Sequence, residues 1–224
     1  MKIQKFAAIG FLLLCISFPS QDALGKRRRR SYSGPPPTHP VILWSRTLEE
    51  SKDPEQRKIA AFKLSQYSQP IFHSKVISTL MACVKDPDVQ IKVLCTKALG
   101  GAKSASHEDA IRELLIAQYN SDAMLKNTIV RVLVTRKDHS PAVQRVLQDA
   151  VLKTEETDEL LALLRYFEES PAIEKDLAEK LVDLYSKRTD VKVRRALIKV
   201  IGMRGSGQDK VVDLLAQCAQ EKDT

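Results

Sequence analysis

Apolar residues recur along this chain at helical spacing, and one segment of that pattern is written repeatedly. The stretch from Asp190 to Gly202 opens on an acid, runs as an amphipathic helix and closes on a glycine. The stretch from Asp88 to Gly100 repeats it. Anchored on the opening acid, copies start at Asp53, Asp88, Asp122, Asp158 and Asp190, at intervals of 35, 34, 36 and 32 residues. Recurrence at such a period marks a repeat architecture. The third place in each copy holds Gln56, Ile91, Leu125, Leu161 and Val193. The sixth holds Ile59, Leu94, Thr128, Leu164 and Ala196, and the eleventh Leu64, Leu99, Leu133, Glu169 and Ile201. These offsets share one helix face, so each copy predicts one buried stripe. The copy at Asp158 departs most, with Glu169 where the others are aliphatic.

Between the copies lie further helical stretches with their own stripes, over 71–85, 107–119, 141–153, 171–187 and 208–219. Ser140-Pro141 and Ser170-Pro171 read as caps before a first-turn proline, and Ser106 with Asp109 as a capping box. Each unit is therefore a helix A, a turn and a helix B. A lone pair cannot bury its stripe. Each buried aliphatic side chain stabilises by about 1.5–3 kcal/mol, against roughly 1–2 kcal/mol to order each residue. Stacking on neighbouring pairs closes that gap.

Asp88-x-x-Ile91-Lys92 and Asp190-x-x-Val193-Arg194, each followed by an alanine- or leucine-containing run and a glycine, resemble the second helix of HEAT repeats. The resemblance covers roughly 41–220, strongly in two copies. It implies an all-α fold, an α-α superhelix: a right-handed solenoid of about five helix pairs plus a terminal helix over residues 41–224. The Trp-x-x-Leu-Gly-x-x-Tyr signature of tetratricopeptide repeats, which share the period, is absent.

Ahead of the repeats, residues 1–25 read as a secretory signal peptide: Lys2 and Lys5, an apolar run from Phe6 to Phe18, and Ala23-Leu24-Gly25 as a cleavage site. The apolar run is short of the roughly 20 residues needed to span a bilayer. A periplasmic or extracellular protein, and not an integral membrane one, is expected. Residues 26–40 form a linker, with the run Lys26, Arg27, Arg28, Arg29 and Arg30 followed by a proline-rich stretch suited to polyproline II. The basic run offers contact with an anionic envelope component. Val41 to Ser51 is expected to be a capping helix with Trp44 packed on the following unit.

Charge changes the picture most. The net +8 of the chain includes +5 from residues 26–30, so the folded body is not a polycation. The B helices nevertheless carry about +11 and the A helices about −2. The fourth place holds Arg57, Lys92, Lys126 and Arg194, matching the basic ladder of the HEAT family, in which such residues contact a neighbouring Asp. The ninth holds Lys97, Arg131 and Lys199. With B helices on the concave face, as the resemblance implies, the candidate binding residues are Lys92, Lys97, Lys126, Arg131, Arg165, Arg195 and Lys199. The expected partner is a protein or peptide with an acidic surface. The alternatives are an anionic lipid, polysaccharide or nucleic acid, and an enzyme of HEAT-like fold.

No residue set points to catalysis or a cofactor. The histidines His39, His73, His107 and His139 lack metal spacing. Cys83, Cys95 and Cys218 fall on apolar stripes and read as buried small hydrophobes. Gly100, Gly101 and the Gly202, Gly205, Gly207 group follow helix ends and read as caps and turns. The sequence leaves the oligomeric state open.

Overall fold

Aspartate caps recur at helix starts and at a 3₁₀ turn. Asp53 accepts from the Glu55 amide at 3.0 Å, and Asp88 from the amides of Gln90 and Ile91 at 2.7 and 3.3 Å. Asp122 accepts from Met124 at 3.0 Å and Asp190 from Val193 at 2.9 Å. Each bond satisfies an amide that a helix N-terminus otherwise leaves open. The computed structural model describes residues 39–171, 173, 175–204 and 209–220. The signal-peptide reading, the basic run, the linker through Thr38, and Gly205 and Gly207 lie outside those residues.

The described residues are all-helical. In order they form α1 (Pro40–Glu50), α2 (Pro54–Ser65), α3 (Ser74–Cys83), α4 (Val89–Leu99), α5 (Glu108–Ser121), and α6 (Lys126–Arg136) after a 3₁₀ turn. There follow α7 (Pro141–Lys153), α8 (Thr157–Glu169), α9 (Lys175–Lys187), α10 (Val191–Arg204) and α11 (Asp209–Gln220). The even helices pack in sequence, α2 on α4, α4 on α6, α6 on α8 and α8 on α10. Among the odd helices α1 packs on α3, α5 on α7, α7 on α9 and α9 on α11. The core runs along the even row: Ala61, Cys95, Ile129, Leu163 and Leu197, one per helix, are each 0% exposed. Trp44 packs edge-on against Tyr67, 6.3 Å away and just past α2, within its own helix pair.

Several sequence expectations need correction. The fourth copy starts on Glu156, two residues before Asp158. Measured from Glu156, the caps at 88, 122, 156 and 190 are evenly spaced by 34 residues. Two acids close together offered two anchors, and packing uses the earlier one. The sixth place is not a core position: Ile59 is 57% exposed and Leu94 half-buried. The buried face of α4 instead runs through Ile91, Cys95, Thr96, Ala98 and Leu99. Ser106 does not cap α5, whose cap residue is His107; its hydroxyl lies 2.9 Å from the His107 ring. Ser140 precedes α7 without a side-chain cap bond. Ser170 closes α8, donating to the Tyr166 carbonyl at 3.2 Å, and α9 begins only at Lys175. Gly202 lies inside α10, and Pro40 belongs to α1 and not to the linker.

Cys83 and Cys95 form a disulfide, Cα atoms 5.9 Å apart, where the sequence reading has two free thiols. The connection from Val84 to Asp88 turns back on itself, with the Asp86 amide donating to the Cys83 carbonyl at 3.0 Å. That return lays α4 beside the last turn of α3, closing a gap that counting from the turn exaggerates.

Polar contacts tie each pair to the next. Arg57 pairs with buried Asp86, Lys92 with Asp122 at 3.0 Å, and Arg112 with Asp138 at 2.5 Å. Buried Arg136 donates to the carbonyls of Leu99 and Ala102 at 2.7 and 2.8 Å and pairs with Glu108. Ile71 bridges in parallel to Ala102, exchanging bonds with Gly101 and Lys103 at 2.9 Å.

Candidate partner-binding face

Acids are scarce on the even helices at the N-terminal end: Glu55 is the only one on α2, α4 and α6. With α8 counted from Glu156, the ninth place holds Lys97, Arg131, Arg165 and Lys199, again spaced by 34. Arg165, an isolated choice in the sequence reading, thereby joins the row. All four are exposed. Lys97, Arg131 and Arg165 have no ionic partner among the described residues. Lys199 differs, because Glu168 on the preceding even helix pairs with it. Arg195, also exposed, stands at the fifth place of α10 and likewise has no ionic partner among the described residues.

The remaining two candidates turn to partners within the chain. Lys92 is half-buried and its ammonium holds the Asp122 carboxyl below the usual range. Lys126 is half-buried with its ammonium 5.3 Å from the centre of the Tyr119 ring. Burial, and then the hydrogen bond to Asp149, pushes that tyrosine up to about 12. Arg194, in the same row, lies 4.4 Å over the Tyr185 ring and donates to its hydroxyl at 2.6 Å. The fourth place is thus a structural ladder. Its acids are not always the helix caps, since Arg57 reaches Asp86 and not Asp88.

Next to the cation row lies a feature the sequence reading missed. Ile59 and Phe62 of α2 face Val89, Val93 and Leu94 of α4 across a groove of about 480 Å³, with Lys58 and Gln90 also lining it. Ile59 and Phe62 are 57% and 50% exposed. Counted from its cap, Phe62 occupies the ninth place, where α4 to α10 carry cations. Lys63 beside it is exposed and sits 34 residues before Lys97. In the register counted from Asp158 the ninth place also holds Phe167; only the shift to Glu156 leaves Phe62 as the one aromatic in a cationic register.

Other constellations offer less. His139 Nδ1 lies 2.9 Å from Ser170 Oγ, and its ring stacks on Tyr166 with centroids 4.8 Å apart. Ser170 is 0% exposed and its hydroxyl is committed to a backbone carbonyl, so no substrate reaches it. His107 sits among the hydroxyls of Ser74, Ser104 and Ser106. Among the described residues no group of three His, Cys, Asp or Glu could hold a metal ion, and no helix is long and apolar enough to cross a membrane. No family model matches the chain, and no curated protein matches it.

Proposed function

We propose that this chain is an exported, non-catalytic docking module: a HEAT-like α-α solenoid that binds a protein or peptide of acidic character on its even-helix face. The observation that carries this reading is the row Lys97, Arg131 and Arg165, exposed, evenly spaced and without ionic partners among the described residues, with no acid on the α4 and α6 helices that carry the first two. A row of one sign attracts an oppositely charged partner through its summed field and fixes its register. The alternating contacts of even with even and odd with odd helices support the stacked-repeat arrangement. The Cys83–Cys95 disulfide supports export, because such bonds persist in oxidising compartments.

The test compares two baits in envelope and culture-supernatant extracts: the chain unaltered, and a variant carrying Lys97→Glu, Arg131→Glu and Arg165→Glu. The expected result is a discrete acidic protein retained by the first and lost from the second, with retention weakening as salt is raised. Capture of the same set by both baits refutes the reading.

A further inference from the structure

We infer that the even-helix face takes an extended acidic peptide segment, anchored by an apolar side chain in the α2–α4 groove and reading its carboxylates along Lys97, Arg131 and Arg165. The inference rests on the proposed docking function and narrows it to one kind of occupant.

Continuity carries it. Phe62 is at once a wall of the groove and the α2 counterpart of the cation row, so the apolar and basic features form one track from α2 to α8. The groove wall is mainly aliphatic and aromatic, with Lys58 and Gln90 the polar residues among those lining it. It therefore suits an apolar side chain and offers a phosphodiester or sugar polymer only Lys58 and Gln90 to bond. The adjoining row suits anions, and Glu55, the only acid on α2, α4 and α6, lies 3.3 Å from Lys58. Together they favour a ligand that is apolar at one end and carries several spaced acids beyond it, which a polypeptide supplies.

Spacing fixes the conformation. Packed helices lie about 8–10 Å apart, so successive cations of the row recur at roughly that interval. A polyproline II chain rises about 3.1 Å per residue with three residues per turn, returning the same face every ~9 Å. An acid at every third position meets successive helices. A peptide α-helix laid along the row advances only about 5.4 Å per turn and brings acids into register less simply.

The decisive experiment displays a library of random peptides of about 12 residues against the full, oxidised chain, a length of roughly 37 Å at ~3.1 Å per residue that covers the ~24–30 Å from α2 to α8. The expected winners place an aliphatic or aromatic residue at one end and acids at intervals of three beyond it. Labelled winners should bind at least tenfold more weakly to Phe62→Asp and to Ile59→Asp, and about fivefold more weakly to Arg131→Glu. All three positions are exposed, and unchanged melting temperatures establish that the variants fold. If winners are acidic but indifferent to Phe62→Asp and Ile59→Asp, the anchor is wrong and the basic docking face stands. Winners indifferent to Arg131→Glu, or no enrichment at all, overturn both readings. A single-stranded oligonucleotide that competes with the winners and itself loses affinity in Phe62→Asp overturns the restriction to peptides.

Discussion

The Cys83–Cys95 bond closes a loop with a sequence separation of 12. Chain-entropy reasoning assigns a closed loop of this size about 3 kcal/mol of stabilisation, by restricting the unfolded chain. A folded unit of some 190 residues loses roughly 2–4 °C of melting temperature per kcal/mol. Reduction should therefore lower Tm by about 6–12 °C, and Cys83→Ala with Cys95→Ala by slightly more, because Cys95 is fully buried and its loss also leaves a small cavity. Two measurements decide it. Peptide mapping without reductant should find the Cys83 and Cys95 fragments joined, and thermal unfolding should be followed with and without reductant. Amide exchange on reduction should quicken first in α3 and α4, the region the bond ties together. Joined fragments with a Tm that shifts by less than about 2 °C would refute the entropic argument. Separate fragments would remove the bond itself.

Two further outcomes follow from the contacts between pairs. Arg136→Met leaves the Leu99 and Ala102 carbonyls without their buried donor and should cost about 3 kcal/mol in denaturant unfolding; Glu108→Gln, at a side chain 37% exposed, should cost under about 1 kcal/mol. In acid, four carboxyls matter: Lys153 holds Asp149 below the usual range, Lys92 does the same to Asp122, and Lys137 to Glu169. Burial pulls Asp138 upward, but hydrogen bonds from Arg112 and Ser140 outweigh it and leave that carboxyl low as well. Depressed carboxyls contribute stability in full above their unfolded value near 4 and lose it as pH falls through the folded values. Melting temperature should hold from about pH 8 to 5 and drop below about 4, and Asp138→Asn should shrink that drop; a stability that rises on acidification contradicts the assignment.

What was legible in the sequence was what periodicity encodes. The helical class follows from side chains returning every third or fourth residue, and the even-row cations from their recurrence at an interval near 34 residues. Register was less legible. Asp158 and Glu156 are both good cap-turn acids, and only packing of Leu160, Leu163 and Leu164 into the core selects the earlier start. Ile59 and Leu94 were misplaced because an aliphatic side chain at the edge of a stripe reads the same whether a neighbour covers it or not. The roles of Lys92 and Arg136 were hidden for another reason. Their partners lie about one repeat away in sequence, at Asp122 and at Leu99 and Ala102, and no local pattern names them.

The two cation rows are five residues apart, which turns them about 140° from one another around a helix. They cannot address the same partner. The fourth-place row spends its charge within the chain, on Asp86, Asp122, and the rings of Tyr119 and Tyr185. A row kept only for solubility would be interspersed with acids, as mixed surfaces are. On α4 and α6 there are none, and Lys97 and Arg131 stand exposed. Acids enter the row on α8, where Glu168 lies about one turn after Arg165 and pairs with Lys199 of α10. The uncompensated part of the row and the apolar groove thus occupy the same end of the stack, the distribution that a ligand with one apolar end and an acidic continuation requires.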